Sequence, residues 1–174
     1  KFPLNNIYSG LVADFVLSRK ETGYISGTRT PILKPGTLYD DLERRDFTLN
    51  ALARNEDGKI IDYFDGLKHL NEKILVTPLP CEQTFNDDPL RILRAVRFSI
   101  TKGFTINPTM DKVMKEYNYE EKMGVVSTER IREELFKCFK ADTRRTLIYL
   151  DHYSGLRDYI FKDQTLWLKP TMEL

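Results

Sequence analysis

A chain of 174 residues with 41% hydrophobic and 30% charged side chains is too apolar for a disordered segment, and it suits one ordinary domain or two small ones. The formal net charge of +1 excludes a uniformly basic sheath around a polyanion, although it permits a local basic patch. Cys81 and Cys138 lie far apart with no histidine at metal-ligand spacing, and no apolar run is long enough to span a bilayer. Free thiols in a reducing, cytoplasmic compartment and no membrane partner are therefore expected.

The chain opens Lys1-Phe2-Pro3-Leu4, without methionine, and runs almost at once into Leu11-Val12-Ala13-Asp14-Phe15-Val16-Leu17, which predicts a strand. So abrupt a start suggests a missing upstream portion, or removal of a tag or initiator methionine. Glycine and proline breaks among threonines and basic residues predict a long loop from Glu21 to Pro35. Leu38, Leu42, Leu49 and Leu52 recur at roughly helical spacing and predict a helix over 37–53. Asn55-Glu56-Asp57-Gly58 is a turn signal, followed by a predicted strand over 59–64 and another at Ile74-Leu75-Val76.

From Asn86 onward the period becomes helical. Leu90, Leu93, Val96 and Ile100 make one apolar face of a helix that ends near Lys102-Gly103. Asn107-Pro108 starts a further helix, as does Ser127 or Thr128, with Ile131, Leu135, Cys138 and Phe139 inward. Asp142 caps the next, with Leu147 and Leu150 inward and Gly155 as its stop. The pattern predicts a small α/β head and then a helical region, joined near residues 76 to 86.

Three stretches could carry chemistry. In Arg44-Arg45-Asp46-Phe47-Thr48-Leu49-Asn50, two arginines, an acid and an amide fall within a few helical turns. The planar guanidinium fork suits phosphate, but charged helix faces are common, and spacing alone favours a solvated, ion-paired face. In Asp87-Asp88-Pro89-Leu90-Arg91-Ile92-Leu93-Arg94-Ala95-Val96-Arg97-Phe98, helix capping explains the acids and the proline. Arg91, Arg94 and Arg97 recur every three residues, and like charges in a stripe repel, so a polyanionic partner would relieve them. Asp88 and Arg91, at i and i+3, hold the acceptor and donors needed for the edge of a nucleobase. A capped surface helix and a phosphate-facing stripe are both compatible with this pattern. Ser127-Thr128-Glu129-Arg130-Ile131-Arg132-Glu133-Glu134-Leu135 requires only a capped amphipathic surface helix. His69 and His152 stand alone, as surface or second-layer residues rather than ligands.

Taken in order, these stretches resemble the class II tRNA nucleotidyltransferase and bacterial poly(A) polymerase family. Residues 44–53 resemble its RRDFTxNAxA motif, and Asp62-Tyr63-Phe64-Asp65-Gly66-Leu67-Lys68-His69-Leu70 resembles its DxxxGxxDL segment, with His69 in place of the acid. Residues 87–98 are similar to EDPLRxLRxxRF, with aspartate for the first glutamate, and residues 128–135 are similar to ERIxxEL. The resemblance implies an α+β fold: part of a polymerase β-like nucleotidyltransferase head with a small sheet over 1–80, then an all-helical neck and body over 81–174. It implies template-independent transfer of nucleotides from CTP and ATP to an RNA 3′ end, foremost CCA addition to tRNA. Poly(A) or single-nucleotide addition, or a non-catalytic RNA- or nucleotide-binding remnant, are the alternatives.

Within that resemblance, Asp88 and Arg91 would pair with the incoming base. Arg45, Arg94 and Arg97 would hold the triphosphate, and Asp46 and Asn50 would shape the sugar and phosphate site less directly. Family members also carry a Gly-Gly phosphate loop and an Asp-x-Asp pair, whose carboxylates bind two Mg²⁺. Neither motif occurs here, so the metal ligands are expected upstream, with Asp14 at most an auxiliary carboxylate and the isolated piece inactive.

Overall fold

The computed structural model describes residues 2–3, 12–13, 16–24 and 31–162. The chain forms two compact units, Lys1–Leu42 and Glu43–Leu174.

In the first unit, β1 (Phe2–Pro3) pairs antiparallel with β2 (Val12–Ala13). Val16 and Leu17 were expected to continue a strand, but they lie outside any strand and are exposed. The stretch expected as a loop instead contains two strands, β3 (Arg19–Tyr24) and β4 (Pro31–Pro35), paired antiparallel from Arg19↔Pro35 to Tyr24↔Pro31. The prolines that argued for a loop sit at the two ends of β4, where a missing N–H is tolerated, and the register shifts between Glu21 and Tyr24, across Gly23. Helix α1 (Leu38–Glu43) opens on a reciprocal cap. The Thr37 backbone N–H donates to Asp40 Oδ2 (2.8 Å) and the Asp40 N–H donates to Thr37 Oγ1 (3.2 Å).

The helix predicted over 37–53 stops at Glu43, and beyond it one local and one tertiary contact capture backbone donors that a longer helix would need. The Asp46 carboxylate accepts the Phe47 N–H (2.9 Å), and the Val76 carbonyl accepts the Thr48 N–H (2.8 Å). Phe47 is thereby extended and fully buried, and a single 3₁₀ turn (Thr48–Asn50) leads into β5 (Leu52–Arg54). Its partner β6 (Ile60–Asp62) returns through a turn in which Gly58 takes φ 82° and Asn55 Oδ1 accepts the Lys59 N–H. Helix α2 (Gly66–Glu72) follows, with Gly66 pressed so closely on the 3₁₀ turn that a Cβ there would lie 2.3 Å from the Thr48 carbonyl oxygen.

β7 (Ile74–Leu75) leads into α3 (Cys81–Asp87) and α4 (Leu90–Lys102). The predicted face Leu90, Leu93, Val96 and Ile100 is buried, but so are Ile92 and Ala95, so α4 is enclosed on more than one side. Gly103 ends it with φ 72°. β8 (Thr105–Ile106) interrupts the otherwise helical remainder and pairs parallel with β7, joining the segment before α3 to the one after α4.

α5 (Pro108–Glu116), α6 (Tyr119–Lys122), α7 (Thr128–Ala141), α8 (Thr143–His152) and α9 (Ser154–Phe161) complete the unit. Asn107, Ser127 and Asp142 cap α5, α7 and α8 with their side chains, as predicted. Two expectations fail. Leu147 is exposed, and Thr146 and Leu150 take the inward face of α8. Gly155 stops nothing: it lies in the first turn of α9, where a Cβ would stand 3.0 Å from the Tyr119 ring. The core gathers Phe47, Phe85, Ile92, Leu93, Met110, Met114, Met123, Tyr153 and Leu156, with α4 at its centre.

Candidate functional site

The polar stripe of α4 meets two other parts of the second unit, the 44–50 segment and α7. Pro89 holds the preceding Asp88 in extended backbone (φ −146°, ψ 98°) between α3 and α4, so its carboxylate stands at the start of α4. Arg91 leaves the first turn, and its Nη2 donates to the Arg44 carbonyl (2.7 Å) while Nη1 donates to the Thr84 carbonyl (3.2 Å). One side chain thus ties the 44–50 segment, the end of α3 and the start of α4 together.

Asp88 and Arg91 are neighbours at the same end of α4, and the Arg91 backbone N–H donates to the Asp88 carbonyl (3.0 Å), but among the described residues their side chains do not bond to each other. The Asp88 Oδ1 accepts the Leu90 N–H at 3.3 Å and Oδ2 accepts Arg130 Nη2 from α7 at 2.8 Å. The direct acid–arginine pair suggested by the i, i+3 spacing is absent because each partner has a closer alternative.

Further along, Arg94 and Arg97 are half-buried rather than solvent-facing. Arg94 Nε donates to Asp46 Oδ2 at 2.9 Å, with Nη2 on the same oxygen. The other oxygen of Asp46 accepts the Phe47 N–H and Asn50 Nδ2 (3.0 Å), so this buried carboxylate is fully bonded. Arg97 Nε donates to Glu134 Oε2, and its guanidinium lies over the Phe98 ring, 4.6 Å from the centroid. Glu134 also accepts Lys137 Nζ (3.0 Å) and stands 4.0 Å from Arg94. Burial alone would raise the Glu134 pKa, but hydrogen bonds from Arg97 and Lys137 outweigh it and hold the group below the usual glutamate value.

These contacts revise one inference from the sequence. The repulsion along the arginine stripe does not require an outside polyanion, because Asp46 and Glu134 are the counter-anions. Glu134 was missed as a site residue. The signal was there: it falls between Ile131 and Cys138 on the inward face of α7, where an unpartnered carboxylate would be costly. Arg45 is exposed, one residue before Asp46. Asp14 lies outside the described residues.

The DxxxG-like stretch turns out to be a brace. Burial tends to raise the Asp62 pKa, but the backbone N–H groups of Leu67, Gly66 and Phe64 all donate to this carboxylate and leave it lowered. His69 Nδ1 is 2.9 Å from Thr48 Oγ1, which ties α2 to the 3₁₀ turn beside Asn50. A separate network outside the site joins α5 to the α8–α9 junction: Asp111 accepts from Tyr153 OH (2.8 Å), faces His152 Nε2 (2.8 Å) and pairs with Lys115. Burial works to raise the Asp111 pKa, but these bonds bring it down to about 2.

Residues 9–76 match the family described as the poly A polymerase head domain. The CCA-adding enzyme of Lactobacillus gasseri is 37% identical over 132 residues, which are 75% of this chain and 33% of that relative. Among solved structures, the Bacillus stearothermophilus CCA-adding enzyme in complex with CTP is 34% identical with a TM-score of 0.67, over 74% of this chain and 32% of that one. The Thermotoga maritima CCA-adding enzyme complexed with tRNA is 30% identical with a TM-score of 0.66, over 73% of this chain and 32% of that one. The chain spans about a third of the length of the curated relatives it matches.

Proposed function

From the premise that this chain belongs to the class II tRNA nucleotidyltransferase and poly(A) polymerase family, we propose that it selects and holds the nucleotide in template-independent addition to an RNA 3′ end. The RNA is tRNA, the nucleotides are CTP and ATP, and the product is a CCA end. The relatives named above are CCA-adding enzymes, one bound to CTP and another to tRNA, which supports this choice of substrates. The observation that carries the proposal is the Arg91–Arg44 bond, which draws two segments 47 residues apart into one site.

Asp88 and Arg91 would read the base. The carboxylate keeps acceptor capacity for an exocyclic amino group, and the remaining N–H groups of Arg91 suit a ring nitrogen or carbonyl. Arg45, Arg94 and Arg97 would hold the triphosphate. Its oxygens would share or displace the Asp46 and Glu134 carboxylates, since a guanidinium can serve more than one acceptor. Asp46 and Asn50 act one step back, by fixing Arg94. Magnesium belongs to the proposed chemistry of the complete enzyme. Among the described residues no group of three or more His, Cys, Asp or Glu could hold a metal ion, so these residues do not fit it and no step is derived through it.

The proposed division of labour places the rest of a nucleotidyltransferase head over 1–80 and the helical neck over 81–174. Among the described residues no helix is long and apolar enough to cross a membrane, and a cytoplasmic site of action is part of the proposal. The test is nucleotide selectivity in the full-length polypeptide. Arg91→Ala should erode the preference for CTP and ATP over UTP and GTP. Arg45→Ala should weaken all four alike, by about 1.5–3 kcal/mol for a lost charged hydrogen bond. Unchanged selectivity in Arg91→Ala, or a base-specific defect in Arg45→Ala, would overturn the assignment.

A further inference from the structure

The two residues proposed to read the base are held in different ways. Arg91 is fixed by backbone: the carbonyls of Arg44 and Thr84 accept its terminal nitrogens, and no side-chain substitution at those two positions removes them. Among the described residues, Asp88 has only one backbone bond to its carboxylate, the long 3.3 Å contact from the Leu90 N–H. Its short contact is Arg130 Nη2 at 2.8 Å, reaching across from the first turn of α7. This ion pair is open to water, with the Arg130 side chain 51% exposed and that of Asp88 27% exposed. Pairs this open contribute little to folding stability. What such a contact does supply is direction: it selects which carboxylate oxygen, and which lone pair, faces a ligand.

One turn on from Arg130, Glu134 of the same helix grips Arg97. Residues 130 and 134 therefore hold both the acid that precedes α4 and an arginine of α4, and Arg130 does so for the reader with the fewer backbone bonds. We propose that Arg130 is a positioning residue that sets base selectivity by orienting the Asp88 carboxylate. This rests on the assignment of Asp88 and Arg91 as the base-reading pair. Arg130 itself need not touch the nucleotide.

The experiment measures affinities of the full-length polypeptide for CTP, UTP and inorganic tripolyphosphate, in wild type and in Arg130→Ala, Arg130→Lys, Asp88→Ala and the Arg130→Ala/Asp88→Ala double variant. CTP and UTP differ in the exocyclic amino group that a carboxylate would accept from. In Arg130→Ala the CTP-over-UTP preference should fall about tenfold, the scale of one charge-assisted hydrogen bond, with tripolyphosphate affinity held within about twofold. Arg130→Lys should restore most of the preference, and Arg130→Ala should add nothing on the Asp88→Ala background. An intact preference in Arg130→Ala, alongside its loss in Asp88→Ala, would overturn this proposal and leave the base-reading assignment standing. An intact preference in Asp88→Ala would overturn the assignment itself. Parallel loss of all three ligands, without rescue by lysine, would reduce Arg130 to a structural role and overturn the proposal. Should Arg130→Ala lose helical circular dichroism, Arg130→Met, which keeps the aliphatic stem, decides by the same criteria.

Discussion

The two ends of the α4 polar stripe solve the same electrostatic problem differently. At its start, Asp88 and Arg91 are held by carbonyls, one weak N–H contact and an open ion pair with Arg130. Further along, Arg94 and Arg97 are locked to the buried carboxylates Asp46 and Glu134. The difference separates adjustability from rigidity. The difference lies in the partners: the carboxylates that hold Arg94 and Arg97 are 9% and 7% exposed, whereas the Arg130 side chain that holds Asp88 is 51% exposed, and an ion pair open to water is held weakly. On the proposed assignment, the start of the stripe would choose among bases and the arginines further along would attract the triphosphate.

That contrast can be broken most forcefully at Glu134. Glu134→Ala leaves Arg97 half-buried without its anion and should destabilise the protein by about 3–5 kcal/mol in denaturant unfolding, the range for one partner removed from a buried pair. Asp46→Asn keeps the shape but removes the charge facing Arg94, which is 31% exposed, and should cost about 1.5–3 kcal/mol. Acid should loosen the middle of the stripe. The folded Glu134 pKa lies below its ordinary value of 4.5, so its contribution is present above that pH and is lost as pH falls through the folded pKa. Glu134→Gln should accordingly flatten the loss of stability below pH 4.5, and a curve identical to wild type would remove Glu134 from the account. Asp111 behaves alike over a lower window, from its ordinary 3.8 down to about 2, and Asp111→Asn should flatten that part of the curve. The smallest effect is at the rim: Arg130→Ala should change stability by less than about 1 kcal/mol. If it proved as damaging as Glu134→Ala, the distinction between the two ends would collapse.

Features set by local chemistry were readable in advance. Pro89 and Gly103 bracket α4, Asn107, Ser127 and Asp142 cap the helices expected of them, and the apolar face of α4 is buried. Features decided by distant groups were not. The break after Glu43 depends on the Val76 carbonyl, which no window of sequence around residue 48 contains. Gly155 looked like a helix stop because glycine has two uses, a positive φ and a close approach, and here the Tyr119 ring requires the second. The site was legible in its residue types but not in its pairings. The side chains of Asp88 and Arg91 are close in sequence yet bond elsewhere, and Glu134 was hidden in what looked like an ordinary surface helix.

A crystal structure of the full-length polypeptide with bound CTP tests the central claim most directly. The cytosine edge is expected within hydrogen-bond distance of the Asp88 carboxylate and the Arg91 guanidinium, with the triphosphate beside Arg45, Arg94 and Arg97. A cytosine edge held by other residues, with Asp88 still bonded only to Leu90 and Arg130, would contradict it.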